Sequence, residues 1–532
     1  MQRYQVAIVG AGPTGLVSAN LLGQAGIRVL LIERNAELSG IPKALMVDDE
    51  FFRLLHKIGL GDALRAHGVG PVSYDYISIL GFTVVHNTGR ITQNGFPSRT
   101  ATFQPRFEQI LLEGIKRFPS VELRFGTELL SLEQDSAGVT LRLKTQDRES
   151  TVSANYLIGA DGSHSVCRKA LDIPFEELVS FGQRHIVVDV SGDKDRGLTA
   201  QICMGASRVY TSLPSPDGGR RYEFSLRPEE SAEVMLTDDV VSKLIGRFTP
   251  YKDLTVIRKA VYTFHSRLAK KLRDGRIFLA GDAAHVMPIF GSQGMNSGAR
   301  DAHNLTWKLI RVIQGRSDPS ILDSYHAERH SQVEETIRVA STNGKLQSTT
   351  FLPLAVLRDL AIKTITFIPS VRRYFSEMRY IPKQFLRSGI VIHPADLASR
   401  GMVGRLLPVP LVATQNGKTL LDDVIGPGWA LVGVNVPYDD ALASHNPWAE
   451  LGATITTIGP TPGKADAVPQ DNRFDDVFHA HDGQWLIVRP DRIIAAAASP
   501  ERMPGVANQI AALLRPLPAA TVTQKEVSHA SV

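Results

Sequence analysis

Cysteine is scarce in this chain of 532 residues, which contains only Cys167 and Cys203. The two form neither a C-x-x-C pair nor a metal-binding spacing, which argues against a disulfide scaffold and predicts a reduced, cytoplasmic protein. Long apolar runs are also missing. The most apolar late stretch, 351–368, is interrupted by charged side chains, so a packed helix is favoured over a membrane span.

Blocks of like charge are absent as well. The 59 Lys and Arg residues and the 54 Asp and Glu residues are spread along the chain and leave a net charge of +5, which argues against a nucleic-acid partner. No signal peptide is recognisable before the first predicted strand, which begins almost at Met1. The length indicates roughly two to four domains.

The start of the chain contains a nucleotide-binding pattern. An apolar run over 4–9 predicts a buried strand, and Gly10, Gly12 and Gly15 follow it in G-x-G-x-x-G spacing. A helix and a second strand are predicted next, and Glu33 ends that strand. The glycines allow a tight turn, a close approach to a pyrophosphate and helix packing, while the acidic residue accepts a ribose hydroxyl. The pattern indicates an adenine dinucleotide but does not distinguish FAD from NAD.

The middle of the chain has a different character. Strand-like segments occupy 186–190, 208–213, 221–226 and 260–264. They are separated by Gly, Pro and Asp clusters, which is typical of a mainly antiparallel sheet. Segment 276–282 then returns to a buried strand followed by a tight turn. We therefore expect the antiparallel sheet to be inserted into the nucleotide-binding domain.

Two further blocks complete a family pattern. One starts at Asp161 and reads D-G-x-x-S-x-x-R, and another starts at Gly281-Asp282 and includes Pro288. With the opening fingerprint, these blocks resemble the class A flavoprotein aromatic hydroxylases, single-component FAD monooxygenases of the p-hydroxybenzoate hydroxylase fold. The resemblance covers about residues 5–340. The tail resembles the thioredoxin-like C-terminal domain of the phenol and 3-hydroxyphenylpropionate hydroxylase branch; it lacks C-x-x-C, so no thiol redox role is expected there.

The resemblance implies an α/β fold in three parts. We expect a Rossmann-like FAD-binding domain, an inserted, mainly antiparallel β-sheet domain that binds substrate, and a thioredoxin-like C-terminal domain. The expected boundaries are 1–71, 100–175 and 268–345 for the FAD-binding domain, 72–99 and 176–267 for the substrate domain, 346–400 for a helical connection, and 401–532 for the C-terminal domain.

The resemblance also implies roles for individual residues. Those expected to bind the cofactor are Gly10, Gly12, Gly15, Glu33, Arg34, Lys43, Gln104, Asp161, Asp282, Gly294, Met295 and Asn296. Asp282 would accept hydrogen bonds from the ribityl hydroxyls, and Asp161 would lie in a turn beside the pyrophosphate. The helix start at 294–296 would stabilise negative charge on the reduced flavin. Pro288 is expected to be catalytic, because its carbonyl contacts the flavin oxygen adduct in the family.

Two positions depart from the family pattern. Lys43-Ala44 stands where the family usually has Arg-Ala, and Lys offers a point charge in place of a bidentate fork. FAD is therefore expected to be held less tightly or to move more easily. Ser292 stands in the loop before Gln293, where the family more commonly has glycine, and we expect this change to have only a small effect on the loop.

The implied reaction uses NADPH or NADH, O2 and a phenol-like aromatic substrate, which is hydroxylated via a flavin C4a-hydroperoxide. The sequence contains no second dinucleotide fingerprint, which fits the transient nicotinamide docking of this family. As in the larger branch of the family, the tail is expected to border a subunit contact in a homodimer.

The group that ionises the substrate is not apparent from the sequence. His185, Tyr210, Tyr222 and His265 all lie on predicted strands of the inserted sheet. We favour Tyr210 and His265 as catalytic residues, although core packing is the simpler explanation for each one alone. Arg106 and Arg221 are candidates to hold a substrate carboxylate, with a surface position as the alternative for both.

Three other functions share parts of this motif pattern with the aromatic hydroxylases. A flavin halogenase would carry a W-x-W-x-I-P block, and the four tryptophans here are too far apart for it. A monooxygenase that modifies a polyketide or antibiotic shares every flavin motif and stays open. A non-catalytic FAD-binding protein is disfavoured by the intact Gly281-Asp282 and Pro288.

Overall fold

The central sheet of this protein contains the nucleotide-binding motif. The computed structural model describes residues 3–179, 183–193, 197–205, 208–349, 351–394, 401–437, 448–461 and 463–514. Six of the sheet's eight strands lie in the order Arg273–Asp274, Ile277–Leu279, Arg148–Gly159, Arg3–Val9, Val29–Ile32 and Val121–Arg124. The strands Thr127–Gln134 and Val139–Thr145 extend it from Arg148–Gly159. The motif strand Arg3–Val9 therefore lies in the interior of the sheet.

Helices cover this sheet because its strands are apolar on both faces. Val6 and Ile8 are fully buried, as expected for a strand with helices above and below. The helix Pro13–Gln24 packs against both Gln104–Ile115 and the long helix Gly294–Ile313. The other helices that precede the C-terminal domain are Asp49–Lys57, Gly61–His67, Val166–Ala170, Ala232–Met235, Asp238–Ile245, Asp323–Gln347, Leu352–Ile365 and Pro369–Ser376.

A second, seven-stranded sheet lies in the middle of the chain. Its order is Thr255–Thr263, Arg184–Ser191, Gly219–Ser225, Tyr210–Ser215, Thr199–Cys203, Ser73–Ile77 and Thr83–Asn87. All neighbours are antiparallel except Thr199–Cys203 and Ser73–Ile77, which are parallel. The expected fold class, with an inserted and mainly antiparallel sheet, is confirmed. The boundaries of the three-part division stay a prediction.

Two small sheets link the larger ones. Met46–Asp48 pairs with Arg99–Ala101, and Phe175–Glu177 pairs with Arg267–Ala269, which also pairs with His285–Val286.

Among the described residues, no helix combines the length and apolar character needed to span a membrane.

The C-terminal part is a separate domain, and its thioredoxin-like character stays a prediction. Its sheet has the order Thr454–Ile458, Ala430–Val434, Gln484–Val488 and Ile494–Ala498, and only the first pair is parallel. The remaining elements are the strands Leu411–Thr414, Gly417–Leu420 and Val468–Pro469 and the helices Leu421–Ile425, Trp448–Leu451, Asp475–His481 and Met503–Leu514. The two cysteines lie elsewhere in the chain, where both are buried and free.

A buried ionic cluster joins this domain to the rest of the protein. Arg489 donates to Glu328 over 2.9 and 2.8 Å and to Asp491, while Lys308 Nζ donates to Glu328 over 2.8 Å. Burial alone would raise the pKa of Glu328, but the Arg489 and Lys308 cations hold that pKa well below its usual range. Beside the cluster, the rings of Trp307 and Trp429 meet edge to face at 5.6 Å.

We expect Arg489→Met to destabilise the protein by about 3–5 kcal/mol, because it leaves the buried carboxylates of Glu328 and Asp491 without their main cation. The free energy of unfolding from a urea titration measures the loss. Arg338→Met removes an exposed helical ion pair with Glu334 and should change that energy by no more than about 0.5 kcal/mol. Equal losses in the two variants would contradict the role of the cluster.

Candidate functional site

Three turns of the chain meet at one edge of the central sheet. The parallel strands that end at Val9, Gly159 and Leu279 are neighbours in register, with Val9 opposite Gly159 and Gly159 opposite Leu279. The turns that follow them contain Gly10, Asp161 and the pair Gly281-Asp282. Residues that are far apart in the sequence are thus brought to the carboxyl end of the sheet, where open α/β sheets bind their ligands.

The glycines of the fingerprint divide into two kinds. A Cβ atom on Gly10 would lie 2.4 Å from the Ala160 carbonyl oxygen, and one on Gly15 would lie 1.9 Å from the Gly10 carbonyl oxygen, so neither position has room for a side chain. A Cβ atom on Gly12 or on Gly294 would meet no atom within 4 Å. We call the space beside these two glycines the cradle.

Two helix N-termini border the cradle. Pro13–Gln24 begins directly after Gly12, and the long helix Gly294–Ile313 begins at Gly294. Free N–H groups and the positive ends of the two helix dipoles attract negative charge at these positions. The cradle therefore fits a ligand with anionic groups that comes close to the backbone.

Glu33 stabilises the glycine-rich loop. Its Oε2 accepts a hydrogen bond from the Ala11 N–H over 3.0 Å, and its Oε1 accepts one from the Asn35 N–H over 3.0 Å. The next residue, Arg34, is exposed. The predicted ribose contact of Glu33 and the predicted cofactor contact of Arg34 remain predictions.

Gln104 fixes the backbone at the position where the family pattern changes. It is only 4% exposed, and its Oε1 accepts hydrogen bonds from the N–H groups of Lys43 and Ala44. Its Nε2 donates to Glu108 over 2.7 Å. The side chain of Lys43 is exposed. Gln104 thus holds the Lys43-Ala44 loop in place while the lysine head stays free.

The two aspartates of the predicted site do different things. Asp161 accepts from the Ser165 hydroxyl and, over 3.0 Å, from the Cys167 N–H, so its carboxylate holds the D-G-x-x-S-x-x-R block together. Asp282 makes no hydrogen bond or ion pair with any described residue. Its side chain is open to the cleft. Burial by the surrounding protein raises the pKa of Asp282, and the nearby charges of His285 and Lys43 oppose that rise. Asp282 is thus an unpartnered acceptor beside the cradle.

A buried network, for which the sequence predicted no role, lies behind the cradle. Asp301 accepts from the Gly281 N–H over 3.0 Å and from Arg329 Nε over 2.8 Å, and His285 Nε2 lies 2.6 Å away. Burial alone would raise the pKa of Asp301, but His285 and Arg329 lower it, so the carboxylate stays ionised. Gly281 has a φ of +60°, and a Cβ there would collide with Thr14. Asp301 therefore fixes the turn that presents Asp282.

The start of the long helix is held by Asn296. This buried side chain donates to the Ser292 carbonyl over 2.7 Å and accepts from the Asp48 N–H over 3.0 Å. The neighbouring Met295 is half-buried. Ser292 has a φ of +54°, in the left-handed region that favours glycine, which explains why glycine is the commoner residue there.

An aromatic cavity lies between the seven-stranded sheet and the loop that precedes the long helix. It encloses about 710 Å³ of empty space, counting the part open to solvent. Residues 289–292 of the loop line it, and Pro288 comes directly before them and is buried. Because Gly294 at the end of the same loop borders the cradle, one loop separates the two spaces.

Two of the four proposed base candidates line this cavity. Tyr210 does so, and so does His185. Tyr222 is buried and donates to Asp193 instead. His265 is not among the lining residues; it follows the end of strand Thr255–Thr263, near the charges of Arg267 and Glu177. The catalytic role of His265 stays a prediction, and the described lining of the aromatic cavity does not include it.

His185 and Glu223 are the histidine and the carboxylate among the described residues that line the aromatic cavity. His185 is 2% exposed, and burial lowers its pKa to about 4. Its Nε2 lies 3.4 Å from Gln183 Oε1, and its Nδ1 has no hydrogen-bond partner among the described residues. Glu223, which the sequence did not single out, accepts from Thr211 over 3.1 Å, and burial raises its pKa.

Neither arginine suggested by the sequence reaches the aromatic cavity. Arg221 forms a bidentate pair with Asp189 at 2.7 and 3.1 Å, and Arg106 is exposed beside His67. The arginine that lines the cavity is Arg99. A lone arginine in a β-rich segment carries no signal that could have identified it beforehand.

Comparisons with known proteins agree with this geometry. Residues 3–340 match the family model described as FAD binding domain, and residues 404–513 match the HcaD C-terminal domain. The chain is 35% identical over 527 residues to the 3-(3-hydroxy-phenyl)propionate/3-hydroxycinnamic acid hydroxylase of Escherichia coli (strain SMS-3-5 / SECEC), covering 96% of this chain and 94% of the relative. The protein of the same name from Shigella sonnei (strain Ss046) is 35% identical, with the same coverage of both chains.

Solved structures show the same fold. The OxyS anhydrotetracycline hydroxylase from Streptomyces rimosus is 26% identical, covers 97% of this chain and 100% of its own, and has a TM-score of 0.73. Aklavinone-11 hydroxylase in a ternary complex with FAD and aklavinone has a TM-score of 0.77 at 23% identity, with coverage of 96% and 99%. The predicted resemblance is confirmed. The chain belongs to the FAD-dependent aromatic hydroxylases, flavoprotein monooxygenases whose cofactor is FAD and whose co-substrate is typically NAD(P)H.

Proposed function

We propose that this enzyme hydroxylates a phenol-like ring held in the aromatic cavity, with O2 as the oxygen source. The observation that supports this most strongly is the shared loop: residues 289–292 line the aromatic cavity, while Gly294 borders the cradle. A ligand in the cradle and a ring in the cavity would therefore lie on opposite sides of a few residues, with aromatic side chains around the ring.

The cradle fits FAD. The open face of Gly12 and the N-terminus of Pro13–Gln24 would bind its pyrophosphate, and the unpartnered carboxylate of Asp282 would accept its ribityl hydroxyls. The N-terminus of the long helix at Gly294 would favour negative charge on the flavin ring. When bound, FAD supplies the transfer of electrons from NAD(P)H to O2. Pro288 stays our candidate for the residue beside the reacting flavin atom.

His185 is our candidate for the group that accepts a hydrogen bond from the substrate's phenolic hydroxyl. If Nε2 carries the hydrogen and donates to Gln183, the buried Nδ1 is an acceptor without a partner among the described residues, on a side chain that lines the aromatic cavity. Tyr210 lines the same space and stays the second candidate.

Three further properties of the enzyme are proposed: an alternative substrate, a cellular compartment and an oligomeric state. The similarity to the OxyS hydroxylase keeps a polyketide-like ring as the alternative substrate. The two buried, free thiols support a reducing compartment, the cytoplasm. We also propose a homodimer, which sedimentation would test.

The proposed function is tested by a screen of simple phenols and polyketide-like rings. A substrate should accelerate NADPH or NADH oxidation by the purified flavoprotein and yield a product heavier by one oxygen atom. Stimulation by no ring compound, with FAD bound, would contradict the proposal.

Asp282→Ala is expected to lower the FAD content of the purified protein strongly. The change removes the carboxylate that would accept hydrogen bonds from the ribityl hydroxyls of FAD, and this carboxylate has no partner among the described residues. The ratio of flavin absorbance to protein absorbance measures the loss. Asp147→Ala changes an exposed turn aspartate and should keep full FAD content. Normal flavin content in Asp282→Ala would refute the assignment.

His185→Phe is expected to lower the rate of hydroxylation on the order of 100-fold, because it removes the acceptor for the phenolic hydroxyl. FAD content should not change. His265→Phe, the equivalent change outside the aromatic cavity, should have little effect, and the opposite ranking would restore the choice made from the sequence.

The pH dependence gives a separate check on His185. A base acts in its unprotonated form, and burial lowers the pKa of His185 to about 4. The neutral form therefore persists as the pH falls from neutrality, and the rate should show no loss at the ordinary histidine pKa of about 6.5. A rate that falls through that pH in the wild type but not in His185→Phe would contradict the burial of this group.

A further inference from the structure

The aromatic cavity contains one permanently charged cation. Of the described residues that line it, Arg99 is the only Lys or Arg. The side chain is nearly buried, with 8% of the residue exposed. Arg99 lies on the short strand Arg99–Ala101, which pairs with Met46–Asp48. A buried guanidinium carries a high desolvation cost unless an anion compensates it.

No described residue supplies that anion. The hydrogen bond recorded for the guanidinium runs from Nη1 to the Ser98 carbonyl over 2.8 Å, which leaves most of its five N–H donors without a described acceptor. Glu223 is the one carboxylate among the described lining residues, and it accepts from Thr211 and forms no ion pair with Arg99. Arg99 thus lines the aromatic cavity without an anionic partner among the described residues.

Three tyrosines lie around this cation. The positive charge of Arg99 acts on Tyr74, Tyr76 and Tyr380, and all three line the cavity. The hydroxyls of Tyr76 and Tyr380 lie 2.8 Å apart. Burial raises the pKa of Tyr74 to about 12 and also raises the pKa of the other two, so all three hydroxyls stay protonated. One hydroxyl of the Tyr76–Tyr380 pair donates to the other, which leaves its partner and Tyr74 able to donate to a ligand.

A guanidinium fork beside protonated hydroxyls is a good match for a carboxylate. We propose that Arg99, assisted by this tyrosine cluster, binds the carboxylate of the substrate, and that the enzyme selects phenols with an acidic side chain over neutral phenols. This inference rests on the proposed function and narrows its substrate class. Arg106 and Arg221 cannot take this role, since one is exposed and the other is committed to Asp189.

The test compares two ligands of nearly the same shape, one with a carboxylate and one with an uncharged carboxamide. We would use 3-(3-hydroxyphenyl)propionate and its uncharged amide, and measure dissociation constants from the change in flavin absorbance and kcat/KM from product formation. The wild type should bind the acid more tightly than the amide. Arg99→Met should weaken binding of the acid about 10- to 100-fold, as expected for a hydrogen bond to a charged group, and leave binding of the amide unchanged within error.

Two control variants separate recognition from folding. Arg99→Lys keeps the charge but loses the fork, so it should recover part of the affinity for the acid. Arg106→Met removes an exposed arginine and should change neither ligand. FAD content and NAD(P)H oxidation without substrate report on folding in every variant.

The remaining outcomes separate the two proposals. Equal losses for acid and amide in Arg99→Met, or no loss for either, would overturn the carboxylate site. A wild type that hydroxylates the amide as well as the acid would overturn the selectivity while the proposed function stands. A wild type that hydroxylates no phenol would overturn the proposed function, and the inference with it.

Discussion

The parallel register of three strands is the constraint on which the whole site depends. Because Val9, Gly159 and Leu279 lie side by side in one sheet, the turns after them must share one edge. The fingerprint, the D-G-x-x-S-x-x-R block and the Gly281-Asp282 turn are separated by more than a hundred residues each, yet they form one cleft. Any change that shifted one strand in register would separate these turns before it altered a single functional side chain.

The conformation of the turn at Gly281 depends on a buried charged group as well as on the strand register. Its left-handed backbone is packed against Thr14, and its N–H is held by Asp301, which Arg329 and His285 keep ionised. The ion pair is costly to bury alone, but the additional hydrogen bonds compensate. The two aspartates of the third block therefore have different roles. Asp301 is buried and fixes the backbone of the turn, while Asp282 is exposed and has no partner among the described residues.

The features that depend only on neighbouring residues could be predicted from the sequence. Strand, glycine spacing and helix start predicted the cradle, since each follows from neighbouring residues. The aromatic cavity could not be predicted in the same way, because its polar groups come from separate strands and their orientation depends on where each strand ends. His265 lies past the end of its strand, whereas His185 is within one. Arg99 had no local signal, since its burial arises from the pairing of Arg99–Ala101 with a distant strand.

The lysine at position 43 shows why a local departure need not weaken the whole site. Its N–H is held by Gln104, and its carbonyl accepts from Arg221 Nη1 over 2.7 Å. Arg221 in turn pairs with Asp189 on the seven-stranded sheet. The loop is therefore fixed from the cofactor side and from the substrate side, and the loss of an arginine fork affects only the freely exposed side chain. The same contacts tie the seven-stranded sheet to the edge of the cleft, so they fix the position of that sheet relative to the cradle.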